Sequence, residues 1–194
     1  LGFVVLAPTT RLFGPVTGTL LATALVSAAS MIAVAWLLFR QLGPRGGAGG
    51  LEVEVVDLLE QAHRHQLEQR DGEMWATVNA VPVTEERVRH RAEHGLVLVG
   101  TVLGVPVGVV VARHEVVSDK RLALIEELYT EPEARGVGVG RRLIQAVELW
   151  ARATGCIGIE SMALPGDRDT KNFFEAAGLI ARAIVVHRSF EPTR

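Results

Sequence analysis

Between an acidic, strand-like run ending in Leu128-Tyr129-Thr130 and an amphipathic helix that starts near Arg141, the chain passes through Arg135-Gly136-Val137-Gly138-Val139-Gly140. No other stretch restricts the fold as much. Glycines at alternate positions remove the side chains that would keep a ligand off the backbone. The first turn of a helix leaves about four N–H groups without intrahelical partners, at the positive end of the macrodipole. A strand, a bare turn and a helix start in this order build an anion cradle, and a diphosphate is the anion that fits it best.

Two common phosphate-binding loops do not match. A Walker loop requires Lys and then Ser or Thr after its last glycine, and Arg141-Arg142 stand there. A dinucleotide-binding turn needs Gly-x-Gly-x-x-Gly directly after a hydrophobic strand. Here the spacing is Gly-x-Gly-x-Gly, and Glu131-Pro132-Glu133-Ala134-Arg135 intervenes. The pattern Arg/Gln-x-x-Gly-x-Gly/Ala does match, through Arg135, Gly138 and Gly140.

From Ile125-Glu126-Glu127-Leu128-Tyr129-Thr130 through this loop to Arg141-Arg142-Leu143-Ile144, the chain resembles the GCN5-related N-acetyltransferase (GNAT) family, whose members use acetyl-coenzyme A. Thr170-Lys171-Asn172-Phe173-Phe174-Glu175-Ala176-Ala177-Gly178-Leu179 is similar to the family's helix ending in a Gly-Phe-type step. The hairpin Leu96–Gly100 to Val107–Val111 falls where the family places its central strands. The resemblance covers residues 51–194. It implies an α+β fold with a mixed, mostly antiparallel central sheet flanked by helices.

Periodicity gives a similar order of elements. Leu51-Glu52-Val53-Glu54-Val55-Val56 alternates with period two and reads as a half-exposed strand. Asp57 is expected to cap a helix through about Arg70, and Thr84 a second helix to His94 with Gly95 past its end. Pro106 is tolerated at the start of the second hairpin strand. Arg141 to Ala153 puts Leu143, Ile144, Val147, Trp150 and Ala151 on one stripe, and Gly155 ends it. Ile157–Met162 reads as a strand, Thr170–Ala177 as a short helix and Ile180–Phe190 as the last strand, all in one layered domain.

Residues 1–42 differ from the rest. Residues 1–50 hold no acid and only three cations, Arg11, Arg40 and Arg45, and Leu12–Phe39 is a run of 28 uncharged residues. As a helix this run spans roughly 42 Å against about 30 Å of bilayer hydrocarbon, so one tilted transmembrane helix over 12–39 is expected. Pro15 lies near its first turn and Trp36 at interface depth, and a signal-peptide core is shorter. Leu1–Ala7 reads as the tail of a preceding membrane helix, so a single anchor and the end of a larger membrane protein both stay open. Gly14, Gly18 and Ala22 have helix-packing spacing, though small residues are common in such helices. Residues 43–50, Gly-Pro-Arg-Gly-Gly-Ala-Gly-Gly, form a linker by composition.

The domain of residues 51–194 keeps 17 basic against 22 acidic residues, net −5, which argues against nucleic acid as a partner. The lone Cys156 fits a reducing compartment. Arg40 and Arg45 after the apolar run favour a cell-membrane location with the domain facing the cytoplasm, where acetyl-coenzyme A is expected.

Acetyl transfer to an amine needs a held thioester, an uncharged amine and a donor for the carbonyl oxygen as it gains charge. The Arg135–Gly140 loop meets the first need, and Arg141 is a further phosphate contact. The resemblance implies that the backbone of Leu128, Tyr129 and Thr130 pairs with the pantetheine arm, with an N–H near Leu128 as oxyanion donor. No metal is required. An alkylammonium has a pKa of about 10.4, so a base must take its proton near neutrality. Glu126 and Glu127 are the candidates. A regular strand turns them to opposite faces, whereas the bulge that the family carries here brings both to the cleft. The resemblance favours Glu126 as base, through water, with Glu127 steering a cationic acceptor.

Two positions depart from the family. Phe174 stands where many members have a tyrosine that protonates the leaving thiolate, a group with a pKa of about 8.5 that needs little help. Asp167 stands where an asparagine is frequent, and nearby Asn172, with Phe174, is a candidate cofactor contact. His90 and His94 have metal-binding spacing on a helix but no third ligand beside them, and His63 and His65 point to different helix faces. The resemblance puts the acceptor pocket around Glu73–Arg91 and Ile180–His187, for a small-molecule or protein amine. Two rival roles stay open: an acyl-coenzyme A-binding sensor with little catalysis, and a surface for a homo-oligomer or a larger membrane complex.

Overall fold

The computed structural model describes residues 2–6, 48–79, 81–188 and 190. In chain order they form β1 (Gly2–Leu6), α1 (Ala48–Leu67), α2 (Gly72–Asn79), α3 (Glu85–His94), β2 (Leu96–Val102), β3 (Val105–Val117), β4 (Lys120–Thr130), a 3-10 turn (Pro132–Ala134), α4 (Val139–Ala153), β5 (Ile159–Glu160) and α5 (Arg168–Ala176). The sheet order is β1-β2-β3-β4-β5. The first three pairings are antiparallel and β4–β5 is parallel, so the sheet is mixed and mostly antiparallel, as the sequence implies.

Each sheet face carries its own core. On one side Leu98, Val110, Ala112 and Ile125 pack with Leu143, Ile144 and Val147 of α4 and Phe174 of α5. On the other, Val97, Val99, Val109, Val111 and Tyr129 meet Val55, Leu58, Leu59 and Ala62 of α1 and Val88 and Ala92 of α3. Alternation along β2 and β3 sends successive side chains to opposite layers, which is why these strands are apolar almost throughout.

Several local expectations are corrected. Leu51–Val56 is not a strand but lies inside α1, which starts at Ala48, so part of the glycine-rich linker is helical and Asp57 is not a cap. Val55, Leu58, Leu59 and Ala62 recur at helical spacing, and burying that stripe outweighs the short alternation of Leu51–Val56. Ile157–Met162 is reduced to β5, two residues long. Ile180–Phe190 forms no strand, and Ile184, Val185 and Val186 are exposed. A strand needs a partner edge, and β5 is too short to supply one. Gly2–Leu6 is an edge strand on β2, not the end of a membrane helix. Thr84 does cap α3, accepting from Arg87 N–H at 3.3 Å, with Gly95 at the far end.

Among the described residues no helix is long and apolar enough to cross a membrane, and the expected span 12–39 lies outside them.

The glycine loop is anchored by a hole in the sheet. Gly100 and Gly108 are cross-strand partners on β2 and β3. A Cβ at Gly100 would lie 2.5 Å from Val139 Cγ1, and one at Gly108 would lie 3.0 Å from it. Two missing side chains thus admit Val139, 2 % exposed, and fix the first residue of α4 against the sheet beside the end of β4.

Candidate active site

The β3–β4 ladder slips at one place. Val111 pairs with Glu127 and Ala112 with Ile125, so Glu126 is the extra residue of a bulge in β4. Beyond the bulge Ile125 keeps to the α4 side, and Glu126 and Glu127 both reach toward the α1–α3 side. Glu127 Oε1 lies 2.9 Å from Nε2 of His63 on α1. Glu126 Oε2 lies 2.9 Å from Nη1 of Arg91 on α3, and its Oε1 accepts from Nε of Arg113 at 2.8 Å. Arg113 is paired with Glu115 as well. Burial alone would lower the Arg113 value, but the hydrogen bonds and charges of Glu115 and Glu126 outweigh it and raise it. Each oxygen of Glu126 is therefore committed to a guanidinium, and taking a proton there means giving up an ion pair.

His63 and Glu127 are less encumbered. Their side chains are 22 % and 15 % exposed, and among the described residues no second hydrogen bond holds the imidazole. Trp75 of α2 meets the ring edge-on, with centroids 5.8 Å apart. An open groove of about 430 Å³ borders His63, lined also by Glu60, Arg64, Val81, Pro82 and Val83. The sequence points to no role for His63 or Arg113, and it places Arg91 only at the end of the acceptor segment Glu73–Arg91. The signal that could have flagged His63 was its place one residue past Ala62, on the rim of the apolar stripe of α1.

On the opposite edge β4 opens. It pairs with β5 only at Ala123 and Leu124, after which the strands separate. Glu131 N–H donates to Val107 O at 2.9 Å. In an antiparallel ladder, alternation then turns the main-chain groups of Glu127 and Tyr129 toward β3, and those of Leu128 and Thr130 toward the gap. The Thr130 carbonyl accepts from Arg135 Nε at 3.1 Å. The Arg135 side chain thus folds back on the strand end.

At the end of that edge sits the glycine turn. Gly136 and Gly138 have φ of 82° and 94°, and nothing lies within 4 Å of where their Cβ atoms would be. Gly138 is the N-cap of α4 and offers no side chain to its first N–H groups. Val137 is exposed and Val139 buried. Arg141 and Arg142 are exposed. Gly140 faces Phe173, whose Cε2 would be 3.2 Å from a Cβ there. The arrangement is a solvent-open row of main-chain donors at a helix start, continuous with a strand edge that stays unpaired among the described residues.

The remaining candidates are spread out. Asn172 is exposed on α5 and Phe174 is buried in the core, so of the two phenylalanines it is Phe173 that touches the loop. Asp167 caps α5 by accepting from Thr170 N–H at 3.0 Å. Tyr129 is buried on the α1 side with its hydroxyl 3.4 Å from Gln61 Oε1, and burial, opposed mainly by Arg135, raises its value. His90 and His94 stack on each other, with centroids 4.3 Å apart. Among the described residues no group of three or more metal-ligating side chains gathers.

Comparison with solved structures finds the same fold at low identity. A tetramutant of the BH1408 protein from Bacillus halodurans aligns at 18% identity with a TM-score of 0.59, covering 71% of this chain and 93% of that one. The aminoglycoside N-acetyltransferase AAC(6')-Iy in complex with CoA aligns at 20% identity and TM-score 0.55, covering 76% and 99%. A ribosomal-protein-alanine N-acetyltransferase from Brucella melitensis biovar Abortus 2308 aligns at 19% identity and TM-score 0.52, covering 72% and 93%. A sequence search of curated proteins gave no match. The family model for the acetyltransferase (GNAT) family matches residues 54–179, from α1 past the end of α5 and including both the bulge and the glycine turn, and this chain belongs to that family.

Proposed function

We propose that the domain transfers the acetyl group of acetyl-coenzyme A to a primary amine, by direct attack of the amine on the thioester. The observation that carries this reading is the open β4 edge running from the Glu126 bulge to the bare start of α4. The N–H groups of Gly136 to Gly140 and the Arg141 side chain would hold the diphosphate, with Arg135 and Val137 framing the turn. Leu128, Tyr129 and Thr130 would line the pantetheine arm, with Leu128 N–H receiving the developing oxyanion. Asn172 and Phe173 would border the loop, and Phe174 would support them from the core.

Glu126 and Glu127 would set the charge around the incoming amine. The committed oxygens of Glu126 favour a steering and scaffolding part for it. Solved relatives of this fold include enzymes named for aminoglycoside and ribosomal-protein amino groups, which supports an amine acceptor. The test is thiol release from acetyl-coenzyme A in the presence of an aminoglycoside, a polyamine or an N-terminal peptide. Acceptor-dependent release supports the reading. Tight binding of acetyl-coenzyme A with no release from any acceptor would favour a sensor module, a second reading that the missing phenol at Phe174 favours.

The uncharged run 12–39 suggests membrane attachment with the domain on the cytoplasmic side. Membrane fractionation of the full chain, with protease added outside sealed vesicles, tests both points.

A further inference from the structure

Resting on that catalytic reading, we infer that His63, oriented by Glu127, is the group that takes the proton from the acceptor amine. The bulge at Glu126 turns Glu127 toward α1, where its Oε1 meets His63 Nε2 at 2.9 Å. A carboxylate at Nε2 fixes the tautomer with the proton on that nitrogen and leaves the lone pair on Nδ1. Glu127 directly precedes Leu128, whose N–H faces the gap, so the carboxylate that holds the ring and the oxyanion donor belong to neighbouring residues of β4. The groove bordered by His63 opens beside the ring, on the face of the sheet away from the α4 layer.

The charges around the ring are few. Glu127 reaches it from β4, while Glu60 and Arg64 share its helix and the groove. Glu126, beside Glu127, is neutralised by Arg91 of α3 and Arg113 of β3. α2 presents Trp75, and Val81, Pro82 and Val83 carry no charge. An amine bound here meets an apolar wall and the exposed carboxylate of Glu60, whose Oε2 lies 3.9 Å from Arg64 Nη1, which suits an alkylamine with an apolar shoulder.

The step balances without another reactant. The ammonium first gives one proton to His63 Nδ1, which passes it to solvent. The freed amine nitrogen then bonds to the thioester carbonyl carbon, its second proton passes to the ring, and the carbon–sulfur bond breaks with its electron pair leaving on sulfur. The imidazolium then returns its proton to solvent or to the thiolate.

The test compares the full chain with His63→Gln and Glu127→Gln, using thiol release from acetyl-coenzyme A. The acceptors are an alkylamine and trifluoroethylamine, which is far less basic and largely uncharged at neutral pH. His63→Gln should lose about 10²–10⁴-fold in kcat/KM with the alkylamine. It should also lose the acidic limb of the pH profile, keep its acetyl-coenzyme A affinity, and be impaired less with trifluoroethylamine. Added imidazole should restore part of the rate to His63→Gly. Glu127→Gln should retain an acidic limb at a shifted position, because it acts through the ring. A His63→Gln enzyme that binds acetyl-coenzyme A normally and keeps the wild-type pH profile overturns the dyad while catalysis stands. No thiol release from the wild type with any amine overturns the catalytic reading and the dyad together.

Discussion

Replacing Gly100 by alanine sets two effects of opposite sign against each other. In the middle of a strand, glycine costs roughly 0.5–1 kcal/mol relative to alanine, so at an open site the change would stabilise the fold. At Gly100 the new methyl would sit 2.5 Å from Val139 Cγ1, about 1–1.5 Å inside normal carbon–carbon contact. Val139 cannot swing aside, because a β-branched residue in a helix holds one χ1 rotamer and this one is 2 % exposed. Leu143 Cδ1, at 3.6 Å, blocks the adjacent space. Overpacking of this kind costs about 1–3 kcal/mol, which exceeds the entropic gain. The start of α4 must lift instead, and Gly138 and Gly140 lift with it. Gly100→Ala should therefore lower Tm, by about 2–4 °C per kcal/mol for a domain of this size, and should weaken acetyl-coenzyme A binding measured by titration calorimetry. Adding Val139→Ala removes the colliding methyl, so the double variant should be more stable than the two single losses predict, with a coupling above about 0.5 kcal/mol. Additive losses, or a Gly100→Ala protein as stable as wild type, would refute the seat described for α4.

Gly138→Ala meets no neighbour but must hold a φ of 94°, so it should cost about 1–2 kcal/mol in chemical denaturation and weaken acetyl-coenzyme A at least tenfold. Unchanged affinity would remove the turn from the cofactor site. Glu126→Gln takes the charge from a carboxylate shared by Arg91 and Arg113, and should lower stability by about 1–2 kcal/mol after allowance for solvent around the half-exposed Arg113. A urea midpoint equal to wild type would show that this cluster contributes nothing. His114 lies against Trp150 and Thr154 Oγ1, and burial, with Arg121 nearby, lowers its value below the usual 6.5. The unfolded chain then binds the proton first, so this contribution is complete above pH 6.5 and declines as pH falls toward the folded value. His114→Gln should flatten the decline of Tm between pH 7.5 and 5.5, and an unchanged slope would refute the assignment.

Gly136, Gly138 and Gly140 were legible because their composition has one main physical use, a backbone left bare at a helix start. The stripe of α4 and the Thr84 cap were legible for the same reason, since each is a local pattern with a local cause. Leu51–Val56 misled because alternation over six residues is weaker evidence than a buried stripe, and Val55 belongs to both patterns. Ile180–Phe190 misled because a strand is a property of two chain segments, and its missing partner edge is not written in its own residues. The site divides along the same line. That Glu126 and Glu127 matter could be argued from type and position, but their roles depend on partners 64, 35 and 13 residues away, at His63, Arg91 and Arg113. A single inserted residue in β4 decides which acid meets which partner. Glu126, the extra residue, reaches the two arginines, and Glu127 meets His63 on α1. If the bulge moved by one position in either direction, one of the two acids would turn into the α4 core. The proton-handling chemistry of this domain thus depends on strand register as much as on residue identity.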